Sequence, residues 1–191
     1  MSHSLVIVPG IGGSGPDHWQ SHWEAALPGT LRIAPASWDH PALDDWVDAV
    51  DRAVTASAAP PVLVAHSLGC LAVAHWALRA DAAAARISSA FLVAPPDPAG
   101  PAFPGAAASG GFTCPTRPLG IPATVLASSD DPYSDLPRNA AVAASWGAGF
   151  VDLGPRGHVN AAGGLGEWPE GLQLLEDLAT SGPRAAGPPA A

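Results

Sequence analysis

The chain predicts an α/β fold of about six mostly parallel strands, with helices covering both faces of the sheet. Three features lead there. Short apolar, β-branched runs alternate with helical segments, and such alternation calls for a parallel sheet with crossover helices. The runs are apolar throughout, as strands buried on both faces are. Hydrophobic residues form 48% of the 191 residues and charged residues 13%, enough for one real core and unlike a disordered chain. We expect one domain over residues 1–180 and a flexible tail over 181–191, whose Gly182-Pro183-Arg184 and Gly187-Pro188-Pro189 segments bury nothing.

The elements follow in order. Leu5-Val6-Ile7-Val8 reads as a strand stopped by Pro9-Gly10. Asp17 to Leu27 reads as a helix, with Trp19, His22, Trp23, Ala26 and Leu27 in a 3–4 residue apolar rhythm. Leu31 to Pro35 is a second short strand. Leu43 to Ala56 is an amphipathic helix whose Asp44, Asp45, Asp48 and Asp51 form a solvated face. Val62 to Ala65 reads as a buried strand, and a helix from Leu68 runs to about Ala82, with Ala83-Ala84-Ala85 continuing or closing it. Ile87 to Ala94 is the next strand. From Pro95 to Pro122 the chain is Pro/Gly/Ala-rich, anchored by Phe103, Phe112, Cys114 and Leu119. It reads as a rim or lid without the periodicity of a helical cap domain. Ala123 to Ala127 and Gly149 to Leu153 are the last strands. Leu136 to Trp146 and Trp168 to Leu178 are the last helices.

Composition excludes several function classes. The net charge is −9 and no Lys/Arg cluster is visible, so neither nucleic acid nor an anionic membrane is an expected partner. No apolar run is long enough to span a bilayer, and Met1-Ser2-His3-Ser4 shows no signal-peptide pattern, so the expected location is cytoplasmic. Cys70 and Cys114 lack metal-type spacing and read as free thiols. His18 and His22 stand at i, i+4, but without a His-Glu-x-x-His arrangement they read as packed rings, and no metal is expected. The glycine-rich loop Ile11-Gly12-Gly13-Ser14-Gly15 lacks the spacing and the Lys-Ser/Thr ending of a nucleotide loop. No cofactor is expected.

The chemistry centres on Ala65-His66-Ser67-Leu68-Gly69, a small-x-Ser-x-Gly turn between a buried strand and a helix. In that context the motif forms a nucleophile elbow, with the serine at the strand tip. The positions flanking the turn must be small, and Ala65 replaces the usual Gly there. The plainer reading is that Ser67 only caps the helix. Asp131 and His158 argue for more. Ser, then Asp, then His, each after a predicted strand, is the chain order of α/β hydrolases, and such strand tips lie side by side. In this reading His158 is the base that takes the Ser67 proton, and Asp131 fixes its tautomer. Asp130 is the alternative acid. Asp131 is preferred because the Asp-Pro turn pins its carboxylate, which leaves Asp130 solvated or turn-forming. The N–H groups of Leu68 and Ile11 would bind the oxyanion. Gly10, Gly12, Trp38, Phe112 and Asn160 are candidate substrate-binding residues, with the Phe103/Phe112 region suggesting an apolar pocket. His66 is expected to point away from the site and His75 to be packed.

Several segments are similar to the small serine hydrolases related to retinoblastoma-binding protein 9, within the α/β-hydrolase superfamily. They are Val8-Pro9-Gly10 with His18-Trp19-Gln20 and Trp23, His66-Ser67-Leu68-Gly69, Ser129-Asp130-Asp131-Pro132-Tyr133, and Gly157-His158-Val159-Asn160 through Gly166-Glu167-Trp168-Pro169-Glu170-Gly171. The resemblance spans nearly the whole chain before the tail. It implies a compact α/β-hydrolase fold, a triad on Ser67, Asp131 and His158, and no cofactor. It implies no particular substrate. The expected activity is carboxylesterase-like hydrolysis of a small ester, thioester or amide through an acyl-enzyme, by a monomer or weak homodimer. The alternatives are a protein-interaction module on a hydrolase scaffold, and a lactonase, thioesterase or cyclase using the same site.

Overall fold

The computed structural model describes residues 4–181. The expected tail beyond Ser181 and the first three residues lie outside them. The elements alternate as β1 (Leu5–Val8), α1 (Trp19–Ala26), β2 (Leu31–Arg32), α2 (Leu43–Ala56), β3 (Val62–His66), α3 (Leu68–Arg79), α4 (Ala83–Arg86), β4 (Ser89–Val93), α5 (Gly105–Ser109), β5 (Ala123–Ala127), α6 (Leu136–Trp146), β6 (Gly149–Asp152) and α7 (Pro169–Ser181).

The six strands form one sheet in the order β2-β1-β3-β4-β5-β6, and every described pairing is parallel. Every residue of β1, β3 and β5 is buried, as strands in the interior of a sheet covered on both faces must be. The edge strands β2 and β6 are only partly buried. The pleat sends alternate side chains to opposite layers. Val6, Val8, Leu63 and Ala65 meet the layer formed by α2, α3 and α6, where Trp46, Trp76 and Trp146 are each at most 1% exposed. Leu5, Ile7, Val62 and Val64 meet the layer of α1 and α7, around Trp19, Trp23 and Trp168.

Some boundaries differ from expectation. The helix after the elbow stops at Arg79, where Ala80 turns extended (ψ 129°), and Ala83–Arg86 is a separate turn that follows a left-handed Ala82 (φ 51°). β2 is shorter than expected, with one further rung from the Ile33 N–H to the Ile7 carbonyl before Pro35. The segment from Pro95 to Pro122 contains one short helix, and the Leu43 N–H to Gly110 carbonyl bond at 2.9 Å ties it down. The aspartate face of α2 is not simply solvated: Asp44 pairs with Arg79 at 2.5 Å and Asp51 with Arg86 at 2.6 Å.

Parallel strands bring their C-terminal ends to one rim. The chain runs from β1 outward to β2, then returns to start β3 on the other side of β1. The direction of winding therefore reverses between β1 and β3, where a crevice opens at the strand tips.

Candidate active site

Ser67 follows β3 at φ 53°, ψ −124°, a backbone region that strains any residue with a Cβ. The Ser67 N–H donates to the Val93 carbonyl at 2.9 Å, which holds the turn to β4. The small residues around it are required by the approach of β1. A Cβ on Gly69 would stand 2.3 Å from the Val8 carbonyl oxygen and 2.5 Å from that of Pro9. A Cβ on Gly10 would stand 2.9 Å from the Ser67 Cβ. The end of β1 thus passes directly over the elbow. Ala65 lies flat in the sheet opposite Val8, fully buried, where its single methyl fits.

The loop after β6 brings His158 over Ser67. His158 Nε2 accepts the Ser67 hydroxyl at 2.8 Å, and His158 Nδ1–H lies 2.9 Å from both carboxylate oxygens of Asp131. The Asp131 side chain is 0% exposed, and it also accepts the Tyr133 N–H at 2.9 Å. Asp130 is exposed and meets neither ring nitrogen of His158, yet it is more than a solvated neighbour. Its Oδ1 accepts the Ser128 hydroxyl and the Gly157 N–H, both at 2.7 Å, so it staples the β5 tip to the loop carrying His158. Those bonds hold its carboxyl below the usual range.

These groups open onto a cavity of about 330 Å³. Gly10, Ile11, Gly12 and Asn160 line it, and so do Ser67, Leu68 and His158. The N–H groups of Ile11 and Leu68 have no acceptor among the described residues, which leaves both able to donate into the cavity. The Asn160 Oδ1 accepts the Ala162 N–H, so its amide caps the short 3₁₀ turn Ala161–Gly163 beside the cavity. The apolar wall comes from Ile11, Leu68, Pro96, Pro104 and Tyr133.

Two expected pocket residues are not there. Phe112 is 2% exposed and packs edge-on against Trp46, in the core below. Trp38 also packs edge-on against Trp46, and its ring lies against Gly13, behind the glycine loop and outside the cavity lining. Both are large aromatic surfaces that the core absorbs. His66 departs from expectation in the opposite sense. It lines the cavity, and its ring lies 4.9 Å from that of His158. His18 and Tyr133 also line the cavity, which nothing in their local sequence signals. Tyr133 packs on the His158 ring at 4.3 Å.

The His-Trp-Gln segment now has a physical role. Gln20 is fully buried and donates to the Val8 and Val64 carbonyls, closing the end of the sheet between β1 and β3. Trp19 donates to the Val159 carbonyl at 2.8 Å, and Trp23 donates to the Glu167 carbonyl at 2.8 Å. Helix α1 thereby anchors the loop that carries His158. Burial pushes the His18 pKa down to about 4, with nearby Arg32 adding to the effect, and burial pushes that of His66 well below the ordinary histidine range. Among the described residues no cluster of three His, Cys, Asp or Glu is arranged to hold a metal ion. No described helix is long and apolar enough to cross a membrane.

Comparison with known proteins agrees with this architecture. A protein-family model described as serine hydrolase matches residues 5–177. A structure described as a YdeN-like hydrolase of Pectobacterium atrosepticum is 33% identical, with a TM-score of 0.81 over 93% of this chain and 90% of that one. The ydeN gene product of B. subtilis shares 21% identity and a TM-score of 0.76, over 94% of this chain and 100% of its own. An esterase domain from Rhodothermus marinus shares the fold at 18% identity, with a TM-score of 0.63 over 92% of this chain and 86% of that one. No curated protein matches the chain. The fold is that of the α/β hydrolases, and the chain belongs to the serine hydrolase family.

Proposed function

We propose that the protein is an esterase-like hydrolase that cleaves a small ester, thioester or amide through an acyl-enzyme on Ser67. The observation that carries this reading is the unbroken hydrogen-bonded line from the Ser67 hydroxyl through both nitrogens of His158 to Asp131. A serine hydroxyl is a weak nucleophile until an adjacent base takes its proton. As Ser67 Oγ attacks the substrate carbonyl, His158 Nε2 receives that proton, and the carboxylate of Asp131 stabilises the resulting imidazolium. The carbonyl oxygen becomes an anion held by the Ile11 and Leu68 N–H groups. Collapse of the intermediate breaks the bond to the leaving group, which takes the proton from His158. Water then repeats the sequence on the acyl-enzyme and frees Ser67.

The cavity supports the substrate class. At about 330 Å³ it lies at the small end of ligand pockets. Among the described residues its lining holds no Asp, Glu, Lys or Arg, which favours a small, uncharged acyl group. Esters come first because an alkoxide leaves more readily than an amine. The resemblance of the segments around Ser67, Asp131 and His158 supports, in this proposal, a relation to the hydrolases around retinoblastoma-binding protein 9.

A fluorophosphonate probe should label the wild-type protein, and Ser67→Ala should abolish the label. Turnover of p-nitrophenyl esters should fall by about 10⁶-fold in that variant. A panel of graded acyl length should favour acetate and butyrate over octanoate. Labelling that persists in Ser67→Ala refutes the proposal.

A further inference from the structure

One buried imidazole, His66, lies against His158 and a second, His18, lies against His66; the chemistry proposed above uses neither. His66 ends β3, one residue before Ser67, and is 4% exposed. Its Nε2 lies 2.9 Å from the main-chain carbonyl oxygen of His158. A carbonyl can only accept, so His66 carries its proton on Nε2 and donates it. On the far side of His66 stands His18, 5% exposed, with ring centroids 4.7 Å apart in an edge-on arrangement. His18 Nδ1 accepts the Gln20 N–H, so its proton also sits on Nε2.

We propose that His66 is a positioning residue for hydrolysis: its Nε2–H holds the main chain at His158 and so sets the reach from that imidazole to the Ser67 hydroxyl. The inference rests on the reading of Ser67, His158 and Asp131 given above.

The loop geometry calls for such a tether. Gly157 and Val159, on either side of His158, have φ of 57° and 50°. A left-handed valine is costly, so this conformation must be imposed by its surroundings. Three outside donors and acceptors take hold of three consecutive residues. Asp130 accepts the Gly157 N–H, His66 donates to the His158 carbonyl, and Trp19 donates to the Val159 carbonyl. Of the three, only His66 comes from the strand that runs directly into Ser67. Nucleophile and base are thereby referenced to one rigid element, and small movements of the β6 loop do not change their separation.

The electrostatics suit the role. The ionisable groups facing His66 are His18, from the turn before α1, and His158, from the loop after β6. Burial and both neighbours oppose its protonation. A neutral His66 keeps its donor without repelling the imidazolium that forms on His158 during attack.

The test uses the full chain. His66→Phe keeps an aromatic ring but removes the donor. Its kcat for p-nitrophenyl acetate should fall about 10- to 100-fold, with KM within about twofold, because a misplaced base slows chemistry more than binding. His66→Gln, whose amide N–H reaches about as far from Cβ, should regain at least tenfold of that loss. Wild-type kcat in His66→Phe overturns the inference, and so does a loss that glutamine leaves unrepaired. Should His66→Phe fail to fold, ¹⁵N-histidine NMR of the wild type decides. The inference requires His66 to carry its proton on Nε2 at neutral pH, and an Nδ1–H tautomer overturns it. If Ser67→Ala stays active, the underlying reading is wrong. If Ser67→Ala is dead while His66→Phe is fully active, only the role of His66 is wrong.

Discussion

Replacing Gly69 by alanine probes how the sheet builds the site. The new Cβ would stand 2.3 Å from the Val8 carbonyl oxygen, whereas ordinary contact begins near 3.4 Å. The end of β1 and the start of α3 must therefore separate by about 1 Å. Both are buried backbone, so no flexible side chain can absorb the shift. Overpacking of this kind costs about 1–3 kcal/mol. The consequence for function is larger. The displaced end of β1 runs straight into Gly10 and Ile11, and α3 begins at Leu68. The separation thus opens between the two N–H groups proposed to bind the oxyanion, and losing one such donor costs about 10²–10³ in kcat. Gly69→Ala should remain folded with a lower urea midpoint. Its kcat on p-nitrophenyl acetate should drop about 100-fold or more, with KM changed far less. Gly105→Ala, where a Cβ meets nothing within 4 Å, should leave both quantities unchanged. Wild-type kcat and urea midpoint in Gly69→Ala would refute the reasoning.

The two adjacent carboxylates should separate cleanly. Asp131→Asn presents an amide where His158 Nδ1–H needs an acceptor, and kcat should fall about 10⁴-fold. Asp130→Asn keeps an oxygen for the Ser128 hydroxyl and the Gly157 N–H, so its loss should stay within about tenfold; steady-state kinetics showing the reverse order would overturn the assignment. Acid should destabilise the fold through His18, whose pKa drops from 6.5 to about 4 on burial. The unfolded chain binds that proton more readily, so the contribution is complete above about pH 6.5 and is lost as pH falls through 4. It amounts to about 3 kcal/mol, and His66 acts in the same direction. Urea midpoints between pH 7 and pH 4.5 should fall less in His18→Phe than in the wild type. Equal falls would contradict the linkage.

Local pattern was enough to read most of the alternation, because the strand runs are short, apolar throughout and bounded by Pro or Gly, while the longer helices carry a 3–4 residue rhythm; the short helix Gly105–Ser109 carries none. It also exposed Ser67, Asp131 and His158 as a set, since each follows a strand and parallel strands must end on one rim. The choice of Asp131 over Asp130 rests on the turn at Pro132; in the structure Asp131 meets the His158 ring and Asp130 meets the Gly157 N–H. Aromatic residues defeated the same approach. Trp38 and Phe112 are large and apolar, and nothing in their neighbours along the chain distinguishes a core ring from a pocket ring. Both go to Trp46 because α2 passes beneath them.

What the linear chain determined alone is the order of its parts: a parallel α/β sheet, a serine at a strand tip, and an acid and an imidazole after later strands. Only the tertiary structure decided what surrounds the imidazole. His66 and Trp19 reach the His158 loop across 92 and 140 residues of sequence, and each meets a main-chain carbonyl. A backbone acceptor is present at every residue and leaves no signature in the sequence, so such a partner becomes visible only when folding brings the two chain segments together.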